Sequence, residues 1–275
     1  MPAWFGALGW DGAVSRLQPG GMTLEHSVVS HDGLTVARLA PSASLEFAGR
    51  SSKDCLTLIA PLGQQPVWMN GRSVGRHEIL SVPPGLDVLA IFRGSSHVVF
   101  VSIPAKPSDS VGALGHLPTG GDALANVVTG DCGEREKASC AREYADELGC
   151  RATAEDSEAY DTAYRIVVTA RDYIEAHLGR RIRMTDICAH AATSLSRLER
   201  TFRREMNLSP SAYVLAIRLE AVRQALQSAT SPETSVAHLA HDCGFNHLGR
   251  FAAAYRRHFG ELPSETLQNR RTAQT

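Results

Sequence analysis

The sequence predicts an α+β protein, with a β-rich N-terminal domain followed by an all-α domain that carries two helix-turn-helix motifs. A stretch at residues 195–211 returns 53 positions later, at 248–264, and each copy has the apolar spacing of a helix. Short apolar runs separated by turn residues fill the first hundred positions. The charge is divided as well: residues 158–275 contain 16 Arg, no Lys and 12 Asp plus Glu, whereas residues 1–157 contain 12 Lys plus Arg and 17 Asp plus Glu.

The chain length of 275 residues is enough for two domains, each with its own core. We place the β-rich domain at 1–130, a helical connecting region at 131–157 and the all-α domain at 158–275. Within the connecting region, residues 152–157 are the best candidate for a linker. The basic balance of the last domain is modest, so charge alone does not identify its partner.

The β-rich domain is predicted from seven short apolar or alternating runs. Turn residues such as Asn70-Gly71 and Pro83-Pro84-Gly85 lie between them. Closely spaced short strands favour a sandwich or a small barrel. The predicted strands are 34–40, 45–48, 56–60, 67–70, 79–82, 88–92 and 98–103.

A Gly-, Pro- and Ser-rich connection, 104–130, follows the strands and leads to a short helix at 122–128. Two longer helices are predicted at 134–148 and 158–177. The first can pack on the β domain. The second opens the all-α domain.

Each repeat predicts one recognition helix. Leu198 and Phe202, or Phe251 and Tyr255, are four residues apart and bury one stripe. Asn207 ends the first copy and Gly260 ends the second. Both residue types readily adopt the left-handed conformation that caps a helix, and a proline follows in each copy.

A short apolar pattern precedes each recognition helix, at 184–191 and at 236–243. Ser194 and Ser235 are candidate N-caps for the helices that follow them. A short helix, a tight turn and a longer helix with outward basic residues form a helix-turn-helix. The helix predicted at 211–229, roughly 27 Å long, separates the two motifs. Two recognition helices about one DNA turn apart are therefore expected on one face of a duplex.

The two recognition helices present different chemistry. Arg can bind guanine bidentately, Glu can accept from cytosine and Ser can pair with several bases, so the first helix can discriminate sequence. The outward residues of the second helix are mostly small or apolar, and we expect it to contribute through Arg250, Arg256, the shape of the DNA and backbone contacts. For each single Arg, a solvated surface position is the alternative. The candidate DNA-binding residues are Ser196, Arg197, Glu199, Arg200, Arg203, Arg204, His247, Leu248, Arg250 and Arg256.

The all-α domain resembles the DNA-binding domain of AraC-type (AraC/XylS) transcriptional regulators, from about Tyr164 to Leu267. Cys188, Arg183 and Asn207 depart from the common pattern, which has a small residue, a Ser or Thr cap and a Gly there. The residues that carry the resemblance are Ile187-Cys188, Leu198-x3-Phe202, Ser209-Pro210-x2-Tyr213, Arg218-Leu219-x-Ala221, Ser235-Val236-x2-Leu239-Ala240, Gly244-Phe245, Phe251-x3-Tyr255-Arg256 and Phe259-Gly260-x2-Pro263-Ser264.

The resemblance implies a transcription regulator, more often an activator, that binds promoter DNA and contacts RNA polymerase. By family position, Ser196, Glu199 and Arg200 contact bases. Residues 44–61 with the two turns loosely resemble the cupin-like jelly roll of such regulators. That domain would bind a small-molecule effector or mediate a homodimer, and the resemblance implies that the helix at 134–148 can take part in such a dimer.

A pocket inside the β domain would be lined by polar residues on its strands. Arg38, Trp68 and Arg93 lie on or beside predicted strands and are candidates for contact with an effector. Strand alternation leaves open whether the two arginines point to solvent instead.

Other functions are less well supported by the sequence. A metal-binding cupin needs clustered His and carboxylate ligands, whereas His77-Glu78 and His97 are isolated, so no metal or cofactor is predicted. A DNA-binding module fused to a Cys-based enzyme needs a cysteine cluster, and residues 1–105 contain only Cys55, so no enzyme activity is expected.

The remaining cysteines allow two roles, packing in a core and redox sensing. Cys188 and Cys243 are predicted as small core residues. A redox sensor that uses Cys132, Cys140 and Cys150 is the remaining alternative function.

The sequence has no run of 18 apolar residues and no basic, apolar leader, so no membrane association and a cytoplasmic location are expected.

Overall fold

The computed structural model describes residues 3–20, 22–31, 33–106, 114–130, 133–151, 157–230 and 234–272. The chain forms two compact units. The N-terminal unit comprises Met1–Val14 and Thr23–Ser157, and the C-terminal unit comprises Ser15–Met22 and Glu158–Thr275. A short early segment of the chain thus belongs to the second unit. The linker predicted at 152–157 lies outside the described residues, except for Ser157, which begins a helix.

The N-terminal unit contains two antiparallel sheets. The first has the strand order β1-β4-β9-β6-β7, and the second has the order β11-β8-β5-β10-β3-β2. The strands are β1 (Asp11–Arg16), β2 (Leu24–His31), β3 (Leu34–Pro41), β4 (Leu45–Arg50), β5 (Cys55–Pro61), β6 (Val67–Met69), β7 (Arg72–Val74), β8 (Ile79–Val82), β9 (Asp87–Phe92), β10 (Val98–Pro104) and β11 (Gly115–Leu117).

The eight strands β3–β10 form a jelly roll. From β3 to β6, successive strands alternate between the two sheets. Within the sheets these eight strands form two groups of four, β3-β10-β5-β8 and β4-β9-β6-β7. This is the double-sheet arrangement of cupins. The α+β class with a cupin-like N-terminal domain is therefore confirmed, and β1, β2 and β11 extend the two quartets at their edges.

An aromatic cluster joins the two sheets. The ring of Phe92 on β9 lies 5.8 Å from that of Phe100 on β10, which belongs to the other sheet. Phe5, from the short helix α1 (Ala3–Ala7), lies 4.2 Å from Phe47 and is fully buried. The Trp10 indole N–H donates to the Thr57 hydroxyl at 3.2 Å, so the polar atom of this buried ring is satisfied.

The predicted turn at Asn70-Gly71 connects β6 to β7. The φ angles of the two residues are 46° and 89°, which is the conformation that a two-residue hairpin requires. Val67 pairs with Val74 and Met69 with Arg72 across this turn. The sequence signal here was sufficient because both residues tolerate positive φ.

Four strands lie outside the seven that were predicted. One is the short β7, and the others are β1, β2 and β11. β1 and β2 are rich in polar and small residues and lie on sheet edges, so they lack the apolar alternation of a half-buried strand. β11 has three residues and pairs with β8 inside the region predicted as a connection. Pairing with a neighbouring strand, rather than local propensity, makes these segments extended.

Two helices complete the N-terminal unit: α2 (Gly121–Thr129) and α3 (Glu134–Arg151). Ala141 of α3 is fully buried in the core of the larger sheet, and Tyr144 packs against the same core. The Arg142 guanidinium donates to the Pro104 carbonyl at 3.1 Å. The predicted packing of this helix on the β domain is therefore observed, and its role in a dimer stays a prediction.

The C-terminal unit contains seven helices among the described residues. None of the helices that the structure describes in either unit is long and apolar enough to span a membrane. The seven are α4 (Ser157–Ala176), α5 (Met184–His190), α6 (Leu195–Met206), α7 (Pro210–Ser228), α8 (Val236–Asp242), α9 (Leu248–Phe259) and α10 (Pro263–Thr272).

The C-terminal ends of the recognition helices follow the prediction. Asn207 adopts φ 55° after α6, and Gly260 adopts φ 81° after α9. Pro210 and Pro263 begin the next helices, where the missing N–H of proline costs no hydrogen bond. The sequence therefore located both helix ends correctly.

Candidate nucleic-acid interface

The first helix-turn-helix consists of α5, the turn at 191–194 and α6. Leu198 and Phe202 are fully buried, which fixes the inward stripe of α6. The Ser194 hydroxyl accepts a hydrogen bond from the Arg197 backbone N–H at 3.3 Å, so this predicted N-cap forms. The core contacts and the cap together set which side chains of α6 face outward.

All six candidate residues on α6 are exposed: Ser196, Arg197, Glu199, Arg200, Arg203 and Arg204. Their spacing divides them into two rows, because residues three or four apart share a helix face. One row contains Ser196, Glu199 and Arg203. The other contains Arg197, Arg200 and Arg204.

The arginine row lines a groove of about 550 Å³ between α6 and α4. Thr162, Ala163 and Ile166 form its α4 side, and Ser194 and Thr201 complete it. Three guanidinium groups along one groove favour an anionic occupant such as a phosphate.

Arg204 differs from the other arginines because it has a carboxylate partner. Its guanidinium lies 2.5 Å from Glu205, a carboxylate that is only 8% exposed. This buried glutamate was not a sequence candidate, since a lone Glu on a helix is normally solvated. The ion pair reduces the net charge that Arg204 can offer to a phosphate.

The second helix-turn-helix consists of α8, the turn at 243–247 and α9. The four candidates His247, Leu248, Arg250 and Arg256 are exposed. Phe251 and Tyr255 are buried, as the repeat predicted. Arg256 also lines a groove of about 530 Å³ with Arg257, Leu262 and two alanines, so the basic groups gather near the C-terminal end of α9.

The predicted N-cap at Ser235 is wrong in one respect. Ser235 precedes α8, but its side chain makes no capping hydrogen bond. The same holds for Arg183 before α5 and for His247 before α9. Of the four helices in the two motifs, only α6 has a side-chain cap.

A buried polar cluster supports α9 from behind. His258 is 3% exposed, and its Nε2–H donates to the Arg16 carbonyl at 3.1 Å. The pKa of His258 is lowered to about 4, chiefly by burial and also by the nearby Arg16 and Arg223 cations, although the hydrogen bond to the Arg16 carbonyl opposes this shift. His258 is therefore a neutral, structural residue of the second recognition helix.

Arg16 connects this cluster to α7 within the C-terminal unit. Its backbone N–H donates to the Glu220 carboxylate at 2.8 Å, and its guanidinium donates to the His258 carbonyl at 2.8 Å. Burial raises the pKa of Glu220, while the hydrogen bond from Arg16 opposes that shift. The sequence could not reveal these contacts because more than 200 positions separate their partners.

Cys188 on α5 and Cys243, directly after α8, are half-buried free thiols. Burial raises the pKa of both thiols, and Asp242 adds to the effect at Cys243. A raised pKa disfavours the reactive thiolate, in agreement with the predicted role as packing residues.

The cysteines proposed as redox switches are only partly described. Cys140 on α3 is half-buried. Cys132 and the side chain of Cys150 lie outside the described residues. The redox alternative stays a prediction.

The three candidate effector residues have different surroundings. Arg38 on β3 is exposed, so its side chain points to solvent, which is one of the two orientations that the alternation allowed. Trp68 on β6 is fully buried, and Arg93, just after β9, is half-buried. Arg38 is therefore a poor candidate for an interior pocket, and a role for the other two stays a prediction.

His77 and Glu78 are not isolated, contrary to expectation. The His77 ring contacts the Asp122 carboxylate, and the Glu78 carboxylate lies 3.2 Å from the His116 ring. Within the described part of the chain, no group of three or more His, Cys, Asp or Glu side chains can hold a metal ion.

Comparisons with known proteins concern the C-terminal unit. Residues 187–269 match the family described as "Helix-turn-helix domain". The XylDLEGF operon transcriptional activator of Pseudomonas putida is 38% identical over 96 residues, which are 35% of this chain and 30% of that protein. The XylDLEGF operon transcriptional activator 2 of the same organism is 39% identical over 95 residues, which are 34% of this chain and 60% of that protein.

A solved structure matches the same region. A probable AraC family transcriptional regulator from Rhodopseudomonas palustris CGA009 is 37% identical, with 38% of this chain and 96% of that chain covered and a TM-score of 0.36. The chain covers less than two thirds of the length of the two curated activators. The resemblance carried by the repeat is confirmed: over its helix-turn-helix domain, this chain is similar to AraC-type transcriptional regulators.

Proposed function

We propose that this protein is a sequence-specific DNA-binding regulator of transcription. The observation that carries the proposal is the pair of repeat-related helices, α6 and α9, whose buried stripes turn all ten candidate residues outward. The proposed division of labour assigns DNA binding to residues 158–275, effector binding and dimer formation to residues 1–130, and their connection to residues 131–157.

The two recognition helices contribute unequally in this proposal. Ser196, Glu199 and Arg200 on α6 contact base edges, whereas the exposed polar groups of α9 are Arg250, Arg256 and Arg257. In the same proposal, Arg197 and Arg204 hold a phosphate of the DNA backbone in the groove between α4 and α6, and Arg200, which lies between them along the helix, reaches a base. The 19-residue helix α7, roughly 28 Å long, connects the two motifs and sets the distance between the two major-groove segments.

In vitro selection of DNA sites by the full chain, at a stated salt concentration, tests this function. We expect an asymmetric site with two elements about 10 base pairs apart. The element bound by α6 should be the better defined one. No enrichment over random DNA at low salt, where phosphate contacts are strongest, would contradict the proposal.

Activation is the direction that the relatives favour, since two of them are described as transcriptional activators. We infer that the protein contacts RNA polymerase at its promoter, in the cytoplasm, and that an effector bound to the jelly roll changes the population of active dimers. Transcription in vitro from the selected site, with and without candidate small molecules, tests each part. Reduced transcription on addition of the protein would make it a repressor.

A further inference from the structure

Two exposed leucines begin the two recognition helices. Leu195 is 48% exposed and Leu248 is 47% exposed. Within the described residues, the only other large apolar side chains exposed to a similar degree are Val29 and Leu215. Both leucines are therefore available to a partner outside the chain, and such a partner would remove their apolar surface from water.

The positions of the leucines are equivalent by the repeat. Each is the first residue of its helix: Leu195 follows the cap Ser194, and Leu248 follows His247. Side chains in a first turn point back toward the helix N-terminus, and this end of a recognition helix contacts base edges. Both leucines thus lie at the helix end that is expected to contact the base edges.

The neighbours of the leucines are polar or basic, which argues for DNA rather than for an apolar protein surface. Leu195 is followed by exposed Ser196 and Arg197, and Leu248 by exposed Gly249 and Arg250. An apolar side chain among hydrogen-bond donors finds one apolar group in the major groove, the 5-methyl group of thymine.

We propose that Leu195 and Leu248 each contact a thymine methyl group, so that the operator carries a thymine at the same place in both of its elements. This inference rests on the proposed DNA-binding function and adds a specificity-determining residue, Leu195, to the α6 set. Burial of one methyl group predicts an effect of about fourfold in affinity per thymine.

The test uses the full chain and its selected site, in which single thymines are replaced by deoxyuridine. That replacement removes only the 5-methyl group. Wild-type binding should weaken about three- to fivefold at one thymine in each element. Leu195→Ala should abolish the sensitivity in the α6 element alone, and Leu248→Ala in the α9 element alone.

Leu215→Ala is the matched control, because Leu215 is 42% exposed and belongs to α7 rather than to a recognition helix. It should leave both deoxyuridine effects unchanged. Specific binding that is indifferent to deoxyuridine, or equally sensitive in the two leucine variants, overturns the inference and leaves the proposed function intact. The absence of any specific site for the wild-type chain overturns both. Normal DNA binding with altered transcription in the leucine variants would assign the leucines to a protein partner and would also overturn the inference.

Discussion

The arginine side chains of α6 differ in the residues that they contact. Arg204 is paired with the buried Glu205 carboxylate. Arg200 lines the same groove beside α4 and lies four residues nearer the N-terminal end of α6. A guanidinium that already bonds a carboxylate has fewer donors left for a base. Among the arginines of this row, Arg200 is therefore better suited than Arg204 to bind guanine.

Arg200→Ala is expected to cost about 1–3 kcal/mol of binding and to relax the preference at one base position. The measurement is affinity for the selected site and for its single-base variants. Arg197→Ala is the control, because Arg197 lines the groove in which a phosphate is proposed to bind. It should weaken binding to every sequence alike and reduce the salt slope by about 1. An equal loss on all sequences for Arg200→Ala would make Arg200 a phosphate contact.

His258 makes stability depend on pH. Its pKa is lowered from 6.5 to about 4 in the folded state, chiefly by burial, with Arg16 and Arg223 acting in the same direction. The folded state thus disfavours the protonated ring. The contribution of the neutral ring is complete above about pH 6.5 and is lost as the pH falls toward 4. The expected loss is on the order of 1–3 kcal/mol.

Urea denaturation between pH 7 and pH 4, for the wild type and for His258→Gln, checks this prediction. The variant should show a smaller loss of stability across that range. The neighbouring Glu220 acts in the opposite sense, because its raised pKa makes its contribution weaker as the pH rises. Comparison with the variant cancels the Glu220 effect. An identical pH dependence of the two proteins would show that His258 does not titrate in this way.

At the scale of the element, the two motifs are copies in sequence but differ in how their helices begin. The Ser194 hydroxyl accepts a hydrogen bond from the Arg197 backbone N–H, whereas the Ser235 side chain makes no capping bond before α8. The sequence alone placed both serines correctly at helix starts. It could not show which side chain would turn toward the backbone, because that depends on the rotamer.

Ser194→Ala should destabilise the protein by about 1 kcal/mol, since the Arg197 N–H loses its acceptor. Ser235→Ala is the matched control and should change the free energy of unfolding by less than about 0.5 kcal/mol. Thermal or urea unfolding of both variants at neutral pH measures the difference. Equal effects of the two substitutions would show that the contact seen at Ser194 contributes little.

The sequence predicted elements well where the local pattern sufficed. The stripes Leu198–Phe202 and Phe251–Tyr255, the αL ends at Asn207 and Gly260 and the hairpin turn at Asn70 all depend on residues close together in the chain. Edge strands β1, β2 and β11 depend on distant partners instead. The contact of Arg16 with Glu220, and that of Arg204 with its buried neighbour, are equally invisible to periodicity.

At the scale of the whole molecule, the C-terminal unit is not continuous in sequence. It includes Ser15–Met22, in which Leu17 is 2% exposed. The Gly20 N–H donates to the Arg257 carbonyl at 2.9 Å, and the Arg16 guanidinium lies 5.4 Å from the centre of the Phe259 ring. This segment therefore supplies hydrogen bonds and packing to the C-terminal end of α9.

A fragment of residues 158–275 is accordingly expected to be less stable than the same region in the full chain. Without Arg16, the Glu220 carboxylate loses the N–H that bonds it at 2.8 Å, and the His258 ring loses the carbonyl that accepts from it. A partly buried polar group left without its partner costs about 1–3 kcal/mol.

Hydrogen exchange of α7 and α9, followed by mass spectrometry in the fragment and in the full chain, measures the effect. Protection should fall in both helices while α5 and α6, which have no contact described with Arg16, serve as the internal control. Equal protection of α7 and α9 in the two proteins would show that residues 158–275 are self-sufficient.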